Sequence, residues 1–312
     1  MKKKYKVKVL VTGGAGMIGS NLVKRLVNEG FDVFVADNLW RGKKEYLLSD
    51  KGTMVIPNKN FHKVDLRDYK NCLKVTNKMD VVVHLADVVA GINYVFSNES
   101  SLYRSNILIN TNTLHACITN KVKKYIYAGT ACSYPKSKQS FINPPPFKED
   151  DVYPAEPESA YGWSKLMGEY EAELVHNEGL IDIEILRLHN VYGSPSELDP
   201  SMSQVIPALC RKAIEQKNLE LVVWGSGRQK RAFVHVDDVV DGFVKVHCLF
   251  LLAVFRPDYS SDRCFGFIAF IYRLAINIHI FHISVAFSGR FSEKVSNESF
   301  GIIFLIIAIF FR

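Results

Sequence analysis

The chain predicts an α/β fold with a doubly wound parallel sheet, on three observations. Short apolar runs, VKVLVT, FDVFVA, VVVHLA, KYIYAG and IEILRL, recur up to about residue 190. Their β-branched, near-continuous apolar character is that of strands buried on both faces. Stretches of helical periodicity lie between them, such as IGSNLVKRLVNEG, whose terminal Gly suits a helix C-cap. A glycine-rich turn also follows the first run. Strand, helix and strand repeated in this order imply a parallel sheet with helices on both faces.

The opening MKKKYKVK contributes much of the net charge of +7 and reads as a solvated lead-in to the first strand. At 48% hydrophobic and 23% charged, the 312 residues have an ordinary globular balance, which excludes a disordered chain. The six cysteines have neither CxxC nor metal-ligand spacing, so a metal site is not expected and a reducing compartment is. No apolar signal core follows the basic start. The expected location is the cytoplasm.

After the first run comes TGGAGMIG. Gly14, Gly16 and Gly19 satisfy GxGxxG, while Gly13, Gly16 and Gly19 satisfy GxxGxxG. Such a turn needs unusual dihedrals and lets a pyrophosphate approach the backbone, and the helix it opens presents unpaired N–H groups to the phosphates. Asp37 closes the second run, where a carboxylate accepts bonds from ribose hydroxyls and repels a 2′-phosphate. NAD is therefore expected over NADP, although Arg41 and Lys43 nearby keep NADP open. Asp65 and Leu66, after another short apolar segment, are placed to flank an adenine ring.

Thr130 follows KYIYAG at the end of the fifth strand, and AYGWSK sets Tyr161 and Lys165 four residues apart on one helix face. An ammonium beside a phenol favours the phenolate and draws its pKa down from ~10. Such a phenolate can take the proton of a sugar hydroxyl, with Thr130 bonded to the same oxygen.

Taken together, TGGAGMIG, Asp37, VVVHLA, Asn106, Thr130, Tyr161 with Lys165, LRLHNVYG and GRQKRAFVHVDD, covering about 1–247, resemble the extended short-chain dehydrogenase/reductase family of nucleotide-sugar epimerases, dehydratases and reductases. The resemblance implies a Rossmann domain holding NAD(P) and a smaller lobe clamping a nucleotide-diphosphate sugar. It also implies a homodimer, with no nucleic-acid partner. It places Gly13, Gly16, Met17, Ile18, Gly19, Asp37, Asn38, Asp65, Leu66, Leu85 and Ala86 against the cofactor, beside Tyr161 and Lys165. Asn190 and Arg231 fall where substrate diphosphate is contacted, and a guanidinium fork matches phosphate oxygens.

The 4,6-dehydratases of this family carry Asp-Glu after the threonine, whereas this chain has Ala131-Cys132. TACSYPK resembles the GDP-mannose 3,5-epimerase and GDP-fucose synthase groups, in which a cysteine here is an acid/base beside a transient ketone. Cys132 can act as a base if a cation or dipole lowers its pKa from ~8.5; as a buried thiol it is inert packing. Both groups carry a second acid/base, Lys or His, before the helix begun by VIPALCRKA; here SPSELDPSMSQ contains neither, and Gln204 precedes that helix. His189 is read as structural, His235 as a strand exit and Asp237 as a helix N-cap.

The expected organisation is a dinucleotide-binding domain over 1–190, part of a substrate lobe over 191–248, and an atypical apolar tail over 249–312. In the lobe, one helix is expected near 202–216, and a helix over 237–247 returns to the first domain. Twelve of the 20 phenylalanines lie in the tail. Its CFGFIAFIYRLAINIHIFHISVAF holds Arg273, at about 2.5–3.5 kcal/mol for a mid-membrane arginine. GIIFLIIAIFF would reach only about 16 Å as a helix. Neither is expected to anchor the chain. The predicted activity is that of a NAD-dependent nucleotide-sugar epimerase, with a GDP-sugar 3,5-epimerase as its more specific form. An NADPH-dependent 4-keto-sugar epimerase-reductase and a catalytically silent NAD-binding module are the alternatives.

Overall fold

The computed structural model describes residues 6–140, 146–199, 202–215 and 231–255, with the side chains of 247–255 excepted. Both apolar tail segments lie outside the described residues. Among the described residues no helix is long and apolar enough to cross a membrane.

The sheet has six strands: β1 (Lys8–Thr12), β2 (Asp32–Asp37), β3 (Phe61–Lys63), β4 (Val81–His84), β5 (Lys124–Thr130) and β6 (Asp182–Leu188). Their order is β3-β2-β1-β4-β5-β6, and every pairing is parallel. The arrangement is the expected doubly wound Rossmann sheet, with Phe61–Lys63 added as a short edge strand. The strand order reverses between β1 and β4, and in open α/β sheets ligands bind at such a reversal, outside the carboxyl ends of the strands.

Strand alternation divides the core between two layers. Val9 and Val11 of β1 pack with Val33, Val35, Val81 and Val83 beneath α1 (Met17–Asn28), where Leu22, Val23 and Leu26 meet them. Val239, Val240 and Phe243 of α8 (Val236–Phe255) join this layer, so the helix after the small lobe packs on the first domain. Leu10, Val82, Tyr125 and Tyr127 face the other way. They meet α2 (Tyr69–Thr76), α4 (Glu99–Thr119) and α6 (Ala160–Asn177) through Val75, Ile109, Leu114 and Ala172. Each such side chain fully removed from water contributes about 1.5–3 kcal/mol. The remaining helices are short: α3 (Ile92–Ser97) and α5 (Lys136–Gln139) lie in the loops after β4 and β5.

Beyond β6, β7 (Asn190–Tyr192) and β8 (Phe233–His235) form a separate parallel pair, and α7 (Val205–Glu215) occupies the expected helical segment. His235 ends β8 as anticipated. Asp237 is not the N-cap, because the helix already begins at Val236 and Asp237 sits in its first turn. Its N–H donates to His235 Nδ1 at 3.3 Å.

Candidate active site

The glycine turn is shaped by collisions that side chains would cause. Gly13 has φ +64°, and a Cβ there would stand 2.9 Å from the backbone of Leu85 and Ala86. A Cβ on Gly19 would stand 2.3 Å from the Gly13 carbonyl, so only glycine lets α1 start this close to the turn. Gly16 caps α1 with no side-chain bond, so the first N–H groups, at Met17 and Ile18, have no intrahelical partner.

Asp37 is buried, its Oδ2 accepting from Ala15 N at 3.0 Å and its Oδ1 from Leu39 N at 2.8 Å. Burial raises its pKa, opposed by those two bonds. An ionised carboxylate has about four acceptor positions, so two remain for ribose hydroxyls. Asn38 turns its Oδ1 back to Trp40 N. Asp65 forms a bidentate pair with Arg67 and Leu66 is buried beside it. The two cations that would receive a 2′-phosphate are engaged elsewhere. Arg41 Nη1 donates to Val89 O at 2.9 Å, and Lys43 lies 3.4 Å from Glu197.

Beneath the turn runs a fully buried chain of hydrogen bonds. Thr12 Oγ1 accepts from Leu85 N and Ala86 N, so its own proton goes to His84 Nδ1 at 2.9 Å. His84 Nε2 then donates to Asn110 Oδ1 at 3.1 Å, and Asn110 Nδ2 reaches Ser164 O on α6. Desolvation first, and the Lys165 charge second, push His84 down to about 3 and keep it neutral. This network couples the turn to the helix that bears Tyr161 and Lys165.

Thr130 ends β5, where Oγ1 caps the following turn by accepting from Cys132 N at 3.2 Å. α6 lands on this turn: a Cβ on Gly162 would stand 2.3 Å from Cys132 O, which explains the glycine next to Tyr161. Thr130, Cys132, Tyr161 and Lys165 thus gather where α6 meets the turn after β5. Asn190 Nδ2 donates to Ala232 O at 3.0 Å and ties β7 to the segment bearing Arg231. The Arg231 charge acts on the Cys132 thiol. His189 is exposed at the β6–β7 junction.

The electrostatics depart from expectation. Lys165 Nζ pairs with Asp87 Oδ2 at 3.2 Å and lies 4.6 Å from the centroid of the Tyr127 ring. Tyr161 is pushed well above the ordinary phenol range, chiefly by burial and then by the Asp87 charge. Cys132 is solvent-exposed, and its thiol is also raised. Desolvation outweighs the bond at Thr130 and the Arg231 charge, and Glu158 and Asp87 add to the rise. Both groups therefore hold their protons in this structure. Asp87, the residue next after VVVHLA, went unnoticed in the sequence; the only signal was an acid directly after a buried strand. Asn106 holds its loop, with Oδ1 accepting from Val88 N at 2.7 Å and Nδ2 donating to Val88 O at 3.2 Å.

A second buried acid supports the cysteine turn. Glu169 Oε2 accepts from Arg187 Nε at 2.7 Å, and Oε1 accepts from Ser133 Oγ at 3.3 Å. It links α6, β6 and the residue after Cys132. The sequence offered no sign of it, because the partners are distant in the chain. Among the described residues no group of three or more His, Cys, Asp or Glu side chains is arranged to hold a metal ion.

A family model described as "NAD dependent epimerase/dehydratase family" matches residues 9–248. The chain is 36% identical over 241 residues to GDP-mannose 3,5-epimerase 1 of Oryza sativa subsp. indica, covering 77% of this chain and 61% of that protein. It is 33% identical over 235 residues to a putative UDP-glucose 4-epimerase of Methanocaldococcus jannaschii, covering 74% and 70%. Among solved structures, UDP-glucose 4-epimerase from Thermotoga maritima with UDP-glucose superposes with a TM-score of 0.63 at 28% identity, over 75% of this chain and 71% of that one. The Thermus thermophilus UDP-glucose 4-epimerase complex with NAD gives 0.61 at 28%, over 76% and 73%. The chain thus spans about three fifths of the GDP-mannose 3,5-epimerase that it matches.

Proposed function

The chain belongs to the NAD dependent epimerase/dehydratase family, and from that membership we propose that it is a NAD-dependent nucleotide-sugar epimerase, with a GDP-sugar as substrate and carbons 3 and 5 as the centres inverted. The observation that carries the reading is the gathering of Thr130, Cys132, Tyr161 and Lys165 where α6 meets the turn after β5.

The dinucleotide fits the residues present: glycines where a Cβ would collide, open N–H groups at α1, and Asp37 with acceptor capacity to spare. Gly13, Gly16, Met17, Ile18 and Gly19 would hold its pyrophosphate, Asp37 and Asn38 its ribose, Asp65 and Leu66 its adenine, with Leu85 and Ala86 beside it. When bound it would supply reversible oxidation at carbon 4 of the sugar. Tyr161 would first release its own proton to solvent, Lys165 would stabilise the resulting phenolate, and that phenolate would then take the hydroxyl proton while Thr130 bonds the same oxygen. Asn190 and Arg231 hold the substrate diphosphate. Cys132, protonated at rest, would deliver a proton to the carbon next to the ketone after a water on the opposite face has taken the original one, because the segment before α7 holds neither Lys nor His. Without Asp-Glu after Thr130, loss of water has no acid/base pair to drive it.

Exposed Tyr103 and Leu108 on α4 and Trp163, Tyr170 and Leu174 on α6 form an apolar face that suits pairing with a second copy. Light scattering on wild type and Leu174→Glu reads that homodimer: wild type should give twice the chain mass and the variant the monomer.

The reaction is tested with GDP-mannose and other nucleotide sugars in deuterated water. Wild type should incorporate deuterium beside carbon 4 and show transient NADH absorbance. Cys132→Ser should lose the exchange and keep the absorbance. Absence of both signals in wild type with every nucleotide sugar would refute the enzyme reading and leave a dinucleotide-binding module.

A further inference from the structure

Resting on the nucleotide-sugar reading above, we infer that Asp87 is a ligand-binding residue, whose Oδ2 holds the Lys165 ammonium while its Oδ1 accepts a hydroxyl of a ribose or hexose bound at the carboxyl ends of the strands. Three independent features lead there.

One oxygen of the carboxylate is committed to Lys165, and the Tyr161 hydroxyl also acts on it. The Asp87 side chain is 6% exposed and that of Lys165 3%, and they meet at 3.2 Å. Oδ1 is buried with no hydrogen-bond partner, the sole such side-chain oxygen or nitrogen among the described residues. Buried polar atoms nearly always have partners, and an orphan among candidate site residues marks a place for a ligand atom.

The carboxylate also cannot withdraw. Asn106, itself fully buried, bonds both the N–H and the carbonyl of Val88. Arg41, reaching across from the loop after β2, bonds the next carbonyl, at Val89. The Asp87 loop is thereby clamped from α4 and from the β2 loop, so Oδ1 is presented in a fixed place.

Chemistry selects the class of ligand. An ionised carboxylate only accepts, so its free oxygen repels phosphate and receives an O–H. Phosphates belong at the glycine turn and beside Arg231, and the electrostatic reach of Asp87 covers both Tyr161 and Cys132. A neutral polyol carbon framework is what fits between them. Two sources offer it: the ribose on the nicotinamide side of a dinucleotide, and the sugar to be oxidised.

The experiment measures binding, independent of turnover. NADH and ADP are titrated by fluorescence and competition into wild type, Asp87→Ala and Asp87→Asn. GDP-mannose and GDP are titrated into the same proteins loaded with NAD. If the ribose donates, Asp87→Ala weakens NADH about tenfold, or about 1.4 kcal/mol, and leaves ADP unchanged. If the hexose donates, NADH is unchanged and GDP-mannose weakens about tenfold relative to GDP. Asp87→Asn keeps the volume and an oxygen acceptor and should fall between; it decides the matter if Asp87→Ala loses ADP binding through misfolding. Wild-type or tighter affinity of both variants for NADH and GDP-mannose would overturn the inference, leaving Asp87 as a partner of Lys165 alone. Wild type that binds neither NADH nor ADP would remove the nucleotide-sugar reading itself, and this inference with it.

Discussion

Replacing Arg187 by Met would test whether the turn bearing Cys132 depends on a buried charge pair. Met keeps most of the aliphatic stem and removes the guanidinium. Glu169 is 1% exposed, and Arg187 Nε is its charged partner at 2.7 Å. Burial already raises the Glu169 pKa despite this partner. Removing the partner leaves an uncompensated buried carboxylate, at about 3–5 kcal/mol out of a total of about 5–15. The sign in pH follows from the raised pKa. The folded state binds the proton more tightly than the unfolded chain, so this group's stabilising contribution is full below the ordinary carboxylate value. It declines as pH rises through the folded value. Arg187→Met raises that folded value further and extends the decline upward, by at most about 1.4 kcal/mol per pH unit. Urea unfolding of both proteins at pH 5 and pH 8 reads the difference. The gap from wild type should be small at pH 5 and reach about 3–5 kcal/mol at pH 8. Adding Glu169→Gln should recover much of the loss at pH 8. An equal gap at both pH values would show that Arg187 acts through packing, not through the Glu169 charge.

Gly19→Ala would place a Cβ 2.3 Å from the Gly13 carbonyl, so the turn must shift. Calorimetry should show a loss of about 1–3 kcal/mol, and NADH affinity should drop at least about tenfold; wild-type values in both would remove the steric account of the turn. His84, held at about 3 by burial, should show no imidazole titration by NMR between pH 5 and 8. Because its folded pKa is depressed, its contribution is complete above about 6.5 and is lost as pH falls toward 3. Titration near pH 6.5 would mean that the Thr12–His84–Asn110 chain does not exist as described.

The parts legible in the sequence are those set by short-range sterics and by period. A strand buried on both faces must read as a continuous apolar run, which is why β1, β2, β4, β5 and β6 were foreseeable. A three-residue edge strand such as β3 carries too few residues to show a period. α4 was hidden for a different reason: its buried face carries Asn106, Asn110 and Thr113, so no apolar stripe marks it. Beyond β6, the helices near 202–216 and 237–247 and the strand exit at His235 were legible, but the first turn of α8 was misread by one residue.

What the sequence determined by itself was the nucleotide turn, Asp37, the Tyr161/Lys165 spacing and the substitution of Cys132 for an acid pair. All are local, because a glycine's tolerance or a helix's four-residue spacing holds wherever the segment goes. Only tertiary structure decided what those groups are. Lys165 meets Asp87 across 78 positions, and Glu169 meets Arg187 between two elements. Tyr161 and Cys132 are raised, not lowered: desolvation and the Asp87 charge act on both, and at the exposed Cys132 the Arg231 charge does not reverse the rise. Charge and desolvation act through space, and no reading along the chain reveals which residues will share it.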